Sequence, residues 1–321
     1  MRRLVRRLTT RCAQAVGAVL AATVVWAAAQ AGGMPVEIAA RVAAIGPVID
    51  PPQTATIYAP LQQTEPYRRV KVTRDIKFGA DERQALDLFV PDGPTAALRP
   101  VLMFVHGGGF LRGQRRAPDS PFYDNIMLFA VHNGIVGVNT TYRLAPQHPW
   151  PAGAEDVASA VRWVGENIAA YGGDPKRVFL MGHSAGAVHV ATYVAHPGLR
   201  GEKDTGLAGA ILVSGLYDFT AREPGDGEKA YFGVDTSKYA ERSSLSGLVA
   251  AQLPLMTVHA ELDPPPFQED AKQLNEELCR AGRCPRAVRL AKHSHMSETY
   301  AINTDDTSLS DEILAFVRGE K

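Results

Sequence analysis

The sequence has little to offer a nucleic acid or a metal ion. Its 321 residues carry 34 basic and 34 acidic side chains, so no cationic surplus points to a phosphate backbone. There are three cysteines. No further cysteine or suitably placed histidine stands near Cys279 and Cys284 to complete a zinc site, so neither metal nor cofactor is expected. There is also no internal repeat and no low-complexity tract. What the chain does have is a hydrophobic content of 45%. That suits one large α/β domain or two small ones.

Charge is unevenly spread. Residues 1–31 carry five arginines (Arg2, Arg3, Arg6, Arg7, Arg11) and no acid, leaving 29 bases and 34 acids in the remainder. The basic start leads into an uncharged run from Cys12 to Val36 that contains Ala29-Gln30-Ala31, small residues spaced as a cleavage site. This is the pattern of an export signal, implying a periplasmic or secreted protein. The alternative is an uncleaved anchor over residues 12–31, since the run approaches the ~20 residues that span a bilayer. Only that anchor would tether the chain to a membrane. In an oxidising compartment Cys279 and Cys284 form either a local disulfide or two free thiols.

Residues 32–65 are proline-rich and read as an N-terminal arm or extended linker. From Tyr67 the period changes. "RRVKVTRDIKF" and "ALDLFVP" alternate and read as an antiparallel pair joined by a turn. Six apolar strand-like runs follow, at 101–106, 134–142, 177–183, 208–216, 253–260 and 287–293. Between two of them, Val157, Val161, Val164 and Ile168 mark one face of a helix. Apolar strands alternating with amphipathic helices mean a mostly parallel sheet covered on both faces. Such sheets bind ligands at the carboxyl ends of their strands.

Two motifs meet that placement. "RVFLMGHSAGA" puts Ser184 between an apolar strand and a helical pattern. Its flanking small residues suit a tight elbow, and the helix N-terminus favours negative charge there. "VLMFVHGGGF" puts three glycines directly after another strand. They free the backbone to aim N–H groups at one point, and one such oxyanion donor is worth about 2.7–4 kcal/mol of transition-state stabilisation. The competing reading of the run, a phosphate cradle, lacks its lysine.

"HGGGF", "YRLAPQHPWPAGAEDV" and "GGDPKRVFLMGHSAGA" together resemble the α/β-hydrolase carboxylesterases related to hormone-sensitive lipase. The resemblance runs from about Val70 to the C-terminus. It implies an α/β-hydrolase fold: a mostly parallel central sheet with helices on both faces and a small cap insertion, here over residues 66–321. It also implies an oxyanion hole made by the N–H groups of Gly108, Gly109 and Ala185. The chain departs from many members in having His183 for Asp and Ala187 for Gly. "GHSAGA" is also similar to kynurenine formamidases and arylformamidases of the same fold.

In this fold the order is serine, acid, histidine. Of nine histidines, His183, His189 and His196 read as packing or surface residues. His293 and His295 remain after the last strand, two apart. His293 ends the strand, whereas His295 sits in the following loop at the family's position, which favours it. For the acid, "PLMTVHAELDPP" offers Glu261 and Asp263, and "VSGLYD" offers Asp218. Asp263 matches the family's block, while Asp218 reads as a turn or capping residue.

The implied activity is hydrolysis of short-acyl carboxylic esters, small-molecule substrates, by a Ser184–His295–Asp263 triad. The alternatives are an arylformamidase or amidase with the same triad, and a non-catalytic binding module of the same fold. The latter usually shows a lost serine, histidine or glycine, and none is lost here.

Overall fold

A computed structural model describes residues 32–93, 97–199 and 207–320. The export segment expected over residues 1–31 lies outside them. Among the described residues no helix is long and apolar enough to cross a membrane.

Among the described residues eight strands form one sheet: β1 (Val70–Lys77), β2 (Ala85–Pro91), β3 (Arg99–Val105), β4 (Val136–Thr140), β5 (Gly173–His183), β6 (Leu207–Val213), β7 (Leu255–Leu262) and β8 (Arg286–Ser294). Their order is β1-β2-β4-β3-β5-β6-β7-β8. The first two strands are the expected antiparallel hairpin, and β2 also lies antiparallel to β4. From β4 across to β8 every pairing is parallel. The strand–helix alternation read in the sequence therefore corresponds to the sheet actually formed.

The helices are α1 (Val36–Ile45), α2 (Pro51–Tyr58), α3 (Asp124–His132), α4 (Ala152–Asn167), α5 (Ala185–Ala195), α6 (Asp226–Phe232), α7 (Tyr239–Arg242), α8 (Leu245–Ala250), α9 (Pro265–Arg280), α10 (Ser297–Tyr300) and α11 (Ser310–Arg318). Successive strand residues point to opposite faces, and β3 shows the consequence. Val101, Met103 and Val105 pack with Val157, Val161 and Val164 of α4 on one face. Leu102 and Phe104 pack with Ile126 of α3 and Ile313 of α11 on the other. Both faces are dry, which is why the strand reads as an unbroken apolar run.

Of the two readings of the proline-rich segment, an arm or an extended linker, only the extended linker is excluded, because α1 and α2 form within it. The prolines fall where a helix tolerates them: Pro51 and Pro52 open α2, and Asp50 caps it by accepting from the Gln53 N–H at 2.9 Å. Helices this short have no stability alone. Ile38, Val42, Ile57 and Tyr58 are buried against Phe122, Met296 and Tyr300, and each buried apolar side chain contributes about 1.5–3 kcal/mol. Packing, not local propensity, holds the arm. The insertion between β6 and β7 carries α6, α7 and α8. Cys279 and Cys284 are joined in a disulfide between the end of α9 and the turn before β8.

Candidate active site

Ser184 follows β5 directly and is the N-cap of α5, with φ 55° and ψ −125°. A non-glycine residue in that region is strained and must be held by its surroundings. Here the Ser184 N–H donates to the Val213 carbonyl at 2.9 Å. The small neighbours make the turn possible. A Cβ on Gly186 would strike the Val105 carbonyl of β3, and one on Gly182 would strike the Gly186 backbone.

The glycine run lies against this elbow. A Cβ on Gly107 would come within 2.9 Å of the Ser184 Cβ, so the run approaches the serine at a distance no side chain allows. Gly108 has φ +131° and Gly109 φ +58°. Gly108, Gly109 and Ala185 line the same cavity as Ser184. That is the proximity an oxyanion hole requires.

On the opposite side, Asp263 and His295 follow β7 and β8. The Nδ1–H of His295 donates to Asp263 Oδ1 at 2.7 Å, and both side chains are fully buried. Asp263 Oδ2 accepts from the Ser214 hydroxyl at 2.5 Å and from the Ala260 N–H at 2.7 Å. Burial pushes the Asp263 carboxyl up, but the bonds from His295, Ser214 and Ala260 outweigh it and hold the pKa below its usual value. With Nδ1 carrying its proton, the neutral ring keeps a lone pair on Nε2. That atom is buried with no protein hydrogen-bond partner among the described residues. His295 and Ser184 line one cavity of about 1040 Å³.

The competing residues lie elsewhere. Asp218 accepts from the Thr220 N–H and hydroxyl, the turn role expected of it. Glu261 is tied to the Lys292 N–H and to Arg289. His293 contacts Ser297 through Nδ1 and Asp306 through Nε2. His189 is buried beside Tyr142 and Tyr231 in the core. His183 is a different case. It is buried behind the serine, with Nε2 2.9 Å from the carbonyl of His295. Sequence reading passed over that link, and nothing in the local pattern announces it.

The cavity has two apolar walls. Phe110, Val188 and Leu216 belong to the cluster under the insertion, with Gly225–Glu228 at its rim. Met296 and Tyr300 belong to the cluster under the arm, whose Ile49–Pro52 segment reaches the cavity.

A family model described as the alpha/beta hydrolase fold matches residues 102–296. The chain belongs to the α/β-hydrolase fold family. Its similarity to the esterase LipQ of Mycobacterium tuberculosis is 35% identity over 213 residues, 62% of this chain and 48% of that one. With the carboxylesterase NlhH of the same organism it shares 45% identity over 87 residues, 27% of this chain and 26% of that one. The chain thus spans about half or less of the length of these curated relatives. Among solved structures, esterase B from Lactobacillus rhamnosus superposes with a TM-score of 0.70 at 17% identity, covering 88% of this chain and 95% of that one. The bacterial heroin esterase superposes with a TM-score of 0.66 at 23% identity, covering 89% and 98%. At these identities the likeness is one of fold.

The nearest approach to a metal-type cluster among the described residues is His183, His295 and Glu298, whose ligand-type atoms lie within 4.8 Å of one another. His295 Nδ1 is committed to Asp263, and His183 Nε2 to a backbone carbonyl. Each ring thus spends one nitrogen on the protein itself.

Proposed function

We propose that the chain is a serine carboxylesterase acting on short-acyl esters of small molecules. The observation that carries this reading is the convergence, on one cavity, of a strained elbow serine, a glycine run and a buried His295–Asp263 pair. The names of the relatives, esterase and carboxylesterase, agree with it. In the proposed reaction Ser184 Oγ attacks the ester carbonyl while His295 Nε2 takes its proton. The tetrahedral oxyanion rests on the N–H groups of Gly108, Gly109 and Ala185. His295 then protonates the departing alcohol, leaving an acyl-Ser184, and the same base activates the water that releases the acid. Asp263 stays ionised throughout, holding the Nδ1–H tautomer and stabilising the imidazolium.

The short-acyl preference rests on the modest cover over the site. Helices α6 and α7 have seven and four residues, and neither makes a long hydrophobic lid. A panel of 4-nitrophenyl esters from acetyl to hexadecanoyl, with N-formylkynurenine beside it, tests the reading. Acetyl or butanoyl esters should be cleaved fastest, and Ser184→Ala should reduce kcat by about 10⁴- to 10⁶-fold. Activity unchanged in that variant would reject the mechanism, and fastest turnover of the hexadecanoyl ester would reject the acyl preference. Export by a cleavable signal is part of the same proposal. N-terminal sequencing of the mature protein outside the cytoplasm tests it, and an intact Met1 would reject cleavage.

A further inference from the structure

We propose that His183, with Glu298 beside it, is a positioning residue for His295, holding the backbone from which that ring projects; this deepens the esterase reading and rests on it. A carbonyl oxygen only accepts, so the 2.9 Å contact between His183 Nε2 and the His295 carbonyl fixes the proton on Nε2. Burial drives the His183 pKa down to about 3, with the neighbouring His295 adding to the effect. The ring is therefore neutral, and its Nδ1 is bare.

The donor is rooted firmly. His183 is the last residue of β5 and is paired in register with Val213 of β6. The acceptor lies 112 residues away in sequence, in the turn between the end of β8, where Ser294 pairs with Leu262 of β7, and α10. On its other side the His183 ring lies under the glycine run, where a Cβ on Gly107 would sit 3.4 Å from Nδ1. One side chain thus spans from the glycine run to the histidine loop, directly beneath the serine.

Glu298 decides where the Nε2 proton points. Its Oε1 is 3.3 Å from His183 Nε2, and its other polar neighbour is the Ser214 side chain, whose hydroxyl donates to Asp263. The carboxyl is fully buried, and burial together with nearby Asp263 raises its pKa well above the usual value. A neutral carboxyl competes weakly for the proton, so the His295 carbonyl receives it. An ionised one would draw the proton away and release the loop.

The test combines spectra and kinetics on the intact protein. In ¹⁵N-histidine spectra of the wild type, His183 should be neutral with its proton on Nε2 throughout pH 5 to 8. Its signal is identified by triple-resonance assignment through its own backbone. A proton on Nδ1, or titration within that range, overturns the proposal, and this readout requires no stable variant of His183. His183→Asn, too short to reach the carbonyl, should lower kcat about tenfold with KM within about twofold. It should also shift the low-field proton resonance of the His295–Asp263 bond. His183→Gln, whose amide reaches the Nε2 position, should recover most of both. Wild-type kcat and an unmoved resonance in His183→Asn overturn the proposal. If the wild type cleaves no ester at all, the esterase reading fails, while the histidine spectra still decide the role of His183.

Discussion

The two sides of the site are built from different materials. In front, at the elbow and the glycine run, geometry comes from backbone: Ser184 at positive φ, Gly108 and Gly109 likewise, and glycines where a Cβ would collide. Behind, at Asp263, His295 and His183, geometry comes from side-chain hydrogen bonds among fully buried groups. Backbone geometry fails when an atom is added. A buried polar network fails when a partner is removed or a charge is misplaced, because low dielectric makes each unmatched group costly.

The contrast is broken most severely from behind. Asp263→Asn keeps shape but loses the negative charge, so the amide can accept at His295 only weakly and stabilises the wrong tautomer. The expected loss of kcat is on the order of 10⁴-fold with folding retained. Ester kinetics beside a thermal melt check this, and a loss under tenfold would mean that Asp263 is not the orienting acid. From the front, Gly108→Ala adds one carbon that meets the Arg112 carbonyl at a φ side chains rarely adopt. The strand that leads into the run is buried throughout from Val101 to Val105 and stays in place, so the loop must move. A fall in kcat of about 10²- to 10³-fold is expected, the scale of one lost oxyanion donor. Unchanged kcat would place the donors elsewhere.

The same contrast explains what could be read from the sequence. Backbone requirements leave local marks. Ser184 sits between Gly182 and Gly186 and follows an apolar run, and Gly107–Gly109 follow another, so strand, turn and helix are visible within a dozen residues. Tertiary partnerships leave no such mark. Nothing near His183 tells of a carbonyl beyond β8, and Glu298 looks like any acid in a helical turn. The extended-linker reading of the arm misled for a related reason. Prolines ordinarily end regular structure, yet Pro51 and Pro52 sit in the first turn of α2, where their missing N–H groups have no helical partner to lose. Whether such a segment folds depends on the distant Tyr300 face it covers, which no local window contains.

A stability measurement sharpens the comparison within the rear itself, where two buried carboxyl groups stand in opposite states. Asp263 is held below its ordinary pKa, so its contribution to stability is present above the unfolded value near 3.8 and is lost as pH falls below it. Glu298 is held well above 4.5. Above pH 4.5 the unfolded chain releases the Glu298 proton while the folded protein keeps it, so stability falls as pH rises, with a limiting slope of about 1.4 kcal/mol per pH unit for one proton. Glu298→Gln removes that proton exchange while keeping a neutral side chain of nearly the same shape. Urea unfolding at pH 5 and pH 8 should therefore show the wild type losing more stability over the interval than the variant, since every other titrating group is common to both. Equal losses would mean that Glu298 is ionised in the folded protein, and that the low-dielectric pocket behind His295 does not keep its charges apart in the way the geometry requires.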